Sequence, residues 1–111
     1  MKEFPKRGFV YWVKLDPAIG SETRKTRPGL VVSNDEGNEM SSRIIVAPIT
    51  SKTQKVYPFE TEVEINKTAA KIMLDQIRAI DKSRLGEKLT ELSHEKMKQV
   101  DKALKVVLSL D

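Results

Sequence analysis

The sequence predicts a mainly β (α+β) fold, a small barrel or twisted sheet of about five to seven strands closed by one C-terminal helix. Three observations carry this. The first two-thirds of the 111 residues breaks into short β-branched, aromatic and aliphatic runs separated by polar loops. One later run alternates strictly between two kinds of side chain. Helical spacing is sustained only in the last fifth, after the sheet is complete, which argues against parallel βαβ units.

Gly8 precedes FVYWVKL, the first strand, which ends at Asp16-Pro17. The next stretch, AIGSETRKTR, is polar, carries Gly20 and is too long for a tight hairpin turn. Pro28 opens PGLVVSN, whose Leu30-Val31-Val32 centre predicts a buried strand. DEGNEMSS reads as a loop, Ile44 to Ile49 as a second buried strand ending at Thr50-Ser51, and SKTQKVYP as a further loop. Phe59, Thr61, Val63 and Ile65 then share one face while Glu60, Glu62 and Glu64 share the other, so this strand has a core face and a water face. Residues 71–80, KIMLDQIRAI, lean to strand through Ile72, Ile77 and Ile80. Ser93 suits an N-cap and Glu95 the first turn of the terminal helix. Met97, Val100, Leu104, Val107 and Leu108 make its apolar stripe.

Length and composition bound the function. The chain suffices for one compact domain, 1–111, and is short for two cores. Apolar residues at 39% and charged residues at 32% suit a globular rather than a disordered chain. A net charge of +4 favours a polyanionic partner only weakly. The absence of cysteine excludes disulfides, thiolate catalysis and thiolate zinc sites, and a single histidine, His94, excludes a site of several imidazoles. No metal and no cofactor is therefore expected. No apolar run approaches the roughly 20 residues of a membrane span, and MKEFPKRG lacks a signal peptide's apolar core. The expected location is cytoplasmic, with no membrane partner.

Candidate chemistry rests on Arg, Lys, Asp, Glu, Ser and Thr. In the loop Ser21, Glu22, Arg24, Lys25 and Arg27 could bind a phosphate and hold a proton-transfer group beside it, although the same composition suits a solvated connection. Pro28 restricts Arg27 to extended backbone, so its guanidinium leaves a stiff junction. Thr50 and Ser51 put two hydroxyls at the end of an apolar strand, where they either meet an anionic oxygen or start a turn. Lys52 follows them. Asp75, Gln76 and Arg78 interrupt an apolar segment and read equally as a structural network or as the lip of a site. Tyr11 and Trp12, in the first strand, are expected in the core, although one of them could line a groove. His94 reads as solvated.

The series RGFVYWVKLDPAIGSE, TRPGLVVSND, IIVAPITS, LDQIRAIDKSRL and VDKALKVVLSL resembles the MazF/PemK family of toxin endoribonucleases, in the family's order and spacing over most of the chain. The resemblance implies an SH3-like, CcdB-like barrel with a C-terminal helix, working as a homodimer. It also implies an mRNA interferase that cuts single-stranded RNA, mRNA above all with rRNA or tRNA as further substrates, and so halts growth. A cognate acidic antitoxin protein would silence it and would bring any contact with operator DNA. By resemblance Arg27, Thr50 and Glu22 are catalytic. Ser21, Arg24, Lys25, Ser51, Lys52, Asp75, Gln76 and Arg78 are expected to bind RNA. Two departures stand out: Phe9 replaces the family's usual acid, and Met73 and Ser21 stand where one branch carries an Arg and a His. That branch's acid–base pair is therefore not carried over.

The expected mechanism uses the RNA 2′-hydroxyl as nucleophile. A different class remains as the alternative: a non-enzymatic CcdB-like toxin that binds and inhibits DNA gyrase. An inactive nucleic-acid-binding module is a third reading. The Arg27-Pro28 and Thr50-Ser51 pairs favour the nuclease. The RNA motif and the antitoxin's contacts are expected in the loops Asp35–Ser42 and Ser51–Pro58.

Overall fold

The computed structural model describes residues 3–17, 19–22 and 25–111. Seven strands and two α-helices follow one another in the order β1 (Phe9–Lys14), β2 (Thr26–Val31), α1 (Asp35–Met40), β3 (Arg43–Thr50), β4 (Glu60–Ile65), β5 (Thr68–Met73), β6 (Arg78–Asp81), β7 (Leu85–Glu91) and α2 (His94–Leu108). Short 3-10 turns at Leu74–Gln76 and Lys82–Arg84 flank β6. All the strand pairs are antiparallel, in the order β4-β5-β3-β2-β1-β7, with β6 also paired to β3. This is the mainly β sheet with a terminal helix that the sequence predicts.

Burial on both faces explains why the central strands read as unbroken apolar runs. Val10, Leu30, Ala47, Ile49 and Ile72 join a core with Met97, Val100 and Ala103 of α2. Val13, Val31, Ile44 and Val46 belong to a second core with Leu15 and Ile80. Neighbours on one strand go to opposite cores because side chains alternate at period two. On α2, Ser93 caps the N-terminus by accepting the Lys96 N–H, as expected. Leu108 falls outside the buried stripe and is half exposed, while Ala103 is buried.

Three expectations are corrected. Residues 35–40 form a short helix rather than a loop; the Asn34 side chain caps it and Asn38 is fully buried. Six residues are too few to display an apolar period. Residues 71–80 are not one strand. Ile72 pairs with Ile49 and Arg78 with Val46, so the outer chain spends six residues where β3 spends three. The surplus is the 3-10 turn at Leu74–Gln76. It faces the one stretch of β3 that contains a proline, Pro48, which has no N–H to give a ladder. The edge strand β7 has no apolar alternation to announce it, being mostly exposed. Lastly, Trp12 is not in the core: it is 40% exposed.

Candidate active site

Register places the site. Gly29 pairs with Pro48 at the end of the β2–β3 ladder, and Arg27 and Thr50, two residues further along their strands, line one cavity. Thr50 is in turn paired with Lys71 on β5. Arg27, Thr50 and Lys71 thus form a row of residues from three strands that meet at one cavity. The close packing of β1 and β2 depends on Gly29, because a Cβ there would lie 2.8 Å from Cγ2 of Val13.

This row floors a cavity of about 400 Å³ lined by Glu22, Lys25, Arg27, Thr50, Lys52, Lys71 and Met73. Five of these, Glu22, Lys25, Arg27, Thr50 and Lys52, are residues that the sequence nominated. Thr50 is buried, and its Oγ1 accepts the Lys52 N–H at 3.2 Å. Lys25 enters β2 with a positive φ of 68°, uncommon for a side chain other than glycine, and its carbonyl accepts the Leu15 N–H at 2.9 Å. Glu22 folds back on its own turn: Oε1 accepts the Ile19 N–H at 2.6 Å, and the Glu22 N–H donates to the Ile19 carbonyl.

Glu22 also lines a neighbouring cavity of about 580 Å³, with Ser21, Pro48, Asp75, Gln76 and Arg78 among its walls. The 3-10 turn brings Asp75 and Gln76 there by lifting them out of the ladder. Arg78 serves both readings of its cluster, since it lines the cavity while its Nη1 donates to the Leu15 carbonyl at 2.9 Å. Ser51 parts from Thr50, because it lines only a third cavity, which Arg27 and Thr50 also border. That cavity, of about 340 Å³, includes the Trp12 indole. The three hollows therefore adjoin through Glu22 on one side and through Arg27 and Thr50 on the other. Arg24 lies outside the described residues.

Phe9 is elsewhere. It lines a hollow with Phe4, Tyr11 and Lys88 that shares no residue with the other three, and the Lys88 ammonium sits 3.7 Å above its ring. Burial raises the pKa of Tyr11 there, and the charges of Glu3 and Glu91 add to the effect. Among the described residues, no three His, Cys, Asp or Glu side chains cluster so as to hold a metal ion. No helix among them is long and apolar enough to cross a membrane.

A family model for the PemK-like, MazF-like toxins of type II toxin–antitoxin systems matches residues 6–108. The chain belongs to that family. This toxin is 44% identical over 110 residues to the endoribonuclease EndoA of Bacillus subtilis (strain 168), covering 95% of each chain. Its fold is similar to the crystal structure of MazF from Deinococcus radiodurans, with a TM-score of 0.86 and 27% identity over 98% of this chain and all of that one. It is also similar to an endoribonuclease from a mycobacterial species in complex with its cognate antitoxin. There the TM-score is 0.81 and the identity 25%, over 96% and 97% of the two chains.

Reasoning from sequence missed Lys71 and gave Met73 no place in the site, while its alternative that Tyr11 or Trp12 could line a groove holds for Trp12. A lone lysine in the apolar strand TAAKIM was the available signal for Lys71. Nothing local distinguishes Trp12 from a core residue.

Proposed function

We propose that this toxin cuts single-stranded RNA by attack of the RNA's own 2′-hydroxyl, with Arg27, Thr50 and Glu22 carrying the chemistry and no metal taking part. Endoribonuclease activity is supported by its family and by its identity to EndoA. The observation that carries the residue roles is the convergence of Glu22, Lys25, Arg27, Thr50 and Lys52 on one cavity.

Attack of the 2′-oxygen on phosphorus breaks the bond to the 5′-oxygen and yields a 2′,3′-cyclic phosphate and a 5′-hydroxyl. Glu22 takes the 2′-proton; Oε1 is engaged by the Ile19 N–H, so Oε2 is the receiving oxygen. Arg27 stabilises charge on the non-bridging oxygens and sends a proton toward the leaving 5′-oxygen. Its high pKa suits it to the cationic role and makes it a poor base. The Thr50 hydroxyl donates to a phosphate oxygen, and one such donor typically contributes about a hundredfold in rate. Lys25, Lys52 and Arg24 guide the backbone on either side. Ser21, Asp75, Gln76 and Arg78 on one flank and Ser51 on the other meet neighbouring nucleotides, mRNA being the principal substrate and rRNA or tRNA further ones.

The same reading extends to assembly and control. The whole chain, 1–111, acts as one toxin domain in the cytoplasm and pairs as a homodimer. A cognate acidic antitoxin competes with RNA for the cationic cavity and contacts operator DNA on the toxin's behalf. That a cognate antitoxin binds is supported by the antitoxin complex of the mycobacterial neighbour. The deciding experiment incubates purified protein with a long RNA in excess EDTA. Cleavage that persists and leaves a cyclic phosphate is expected. Loss of cleavage in chelator with rescue by magnesium contradicts the mechanism, and gyrase inhibition without RNA cleavage replaces it with the binding toxin.

A further inference from the structure

Lys71 is the one charged residue of β5, and its ammonium is buried beside an equally buried carboxylate. Across the β4–β5 ladder its direct partner is Glu62, but Glu62 is exposed and Lys71 instead reaches diagonally to Glu60. The Lys71 Nζ lies 2.9 Å from Glu60 Oε1, with side chains only 11% and 5% exposed. The expectation that Glu60 points into water is thereby overturned.

Both members of the pair also hold the same piece of backbone. Lys71 Nζ donates to the Lys55 carbonyl at 2.7 Å. Glu60 Oε1 accepts the Tyr57 N–H at 2.9 Å, and the Tyr57 carbonyl accepts the Glu60 N–H at 2.9 Å. The Tyr57 ring stacks on Phe59 at 5.2 Å and lies under the ammonium of Lys55 at 4.8 Å. At its other end the segment is fixed by the Lys52 N–H on Thr50 Oγ1.

We propose that Lys71 and Glu60 form a clamp that sets segment 51–58 at the mouth of the catalytic cavity and so determines how tightly RNA is held. Stability alone is a weak reason for such a pair, because well-packed apolar residues in its place are often as stable or more so. What an apolar pair cannot supply is the donor for the Lys55 carbonyl and the acceptor for the Tyr57 amide. The segment so held carries Ser51 and Lys52, and Lys52 shares the cavity with Arg27 and Thr50. Glu60 is a positioning residue, acting through the loop, whereas Lys71 also lines the cavity itself. The functional half of this proposal rests on the RNA-cleaving reading above.

The test is Glu60→Leu, which leaves the cavity lysine in place and removes the acceptor of the Tyr57 amide, assayed for amide hydrogen exchange and for RNA cleavage. The Tyr57 amide is expected to exchange about a hundredfold faster or more, while amides of β2 and β3 keep their protection. KM for RNA should rise about tenfold with kcat changed less than about threefold, the pattern of lost uniform binding. An unchanged KM beside a freed Tyr57 amide overturns the functional role. Wild-type protein whose Tyr57 amide exchanges like an open loop overturns the clamp itself, and this readout stands even if Glu60→Leu does not fold. Exchange needs no RNA. A protected Tyr57 in a protein that cuts no RNA therefore keeps the clamp and rejects the catalytic reading.

Discussion

Thr50 is the cross-strand partner of Lys71, and both line the cavity that Arg27 of β2 also lines. The positions are fixed by ladder register rather than by loops, which suits a site that must hold a phosphate in one geometry.

The register depends on Gly29. A methyl group at this position would press on the Val13 side chain, at 2.8 Å from Cγ2. Gly29→Ala should therefore destabilise the protein by about 1–3 kcal/mol, the usual cost of overpacking. It should also lower cleavage, because Arg27 stands two residues away on the same strand face. Urea unfolding together with single-turnover cleavage checks this. Unchanged stability would show that β1 and β2 can separate without cost.

Trp12 is the protein's single tryptophan, and its indole borders the hollow shared with Arg27 and Thr50. An exposed aromatic beside a phosphate-binding row can stack on a base, worth about 1–3 kcal/mol. Titration with an RNA carrying a 2′-deoxy group at the cut site should quench or shift the tryptophan fluorescence. Trp12→Ala should weaken binding by about tenfold or more on the same scale. Emission unaltered at saturating RNA would remove Trp12 from the substrate path.

The legible parts of the molecule were those with a local period. The alternation at 59–65 and the helical stripe from Met97 both answer to burial on one side, and each reappears in the fold. The break at Leu74–Gln76 was hidden because it arises from Pro48 on another strand. The loop and strand-end residues Glu22, Arg27 and Thr50 stood out by composition and position, their catalytic roles came from the family resemblance, and the structure brings them to one cavity. Lys71 went unseen because its partners, Lys55 and Glu60, are brought to it only by the β4–β5 pairing and the turn at 57–60.

Glu22 separates a base from a steering charge. Glu22→Gln removes a negative charge from a cavity that holds Lys25, Arg27 and Lys52, so RNA binding should hold or tighten slightly. Turnover should nevertheless fall by about a hundredfold, within the usual range for a general base. Binding and single-turnover rates measured on the same preparation check both halves. A variant that turns over at the wild-type rate would return Glu22 to capping its own turn at Ile19.

The central claim is that Arg27 acts on the reacting phosphate rather than merely attracting RNA, and Lys25 on the same cavity wall is its natural control. Single-turnover cleavage at saturating RNA, with Arg27→Ala and Lys25→Ala side by side, tests it most directly. Arg27→Ala should slow the bound-state rate by about a hundredfold or more with the fold intact, and Thr50→Ala should follow it more mildly. Lys25→Ala should weaken binding in a salt-dependent way and leave that rate nearly unchanged. Equal bound-state rates for wild type and Arg27→Ala would contradict the account.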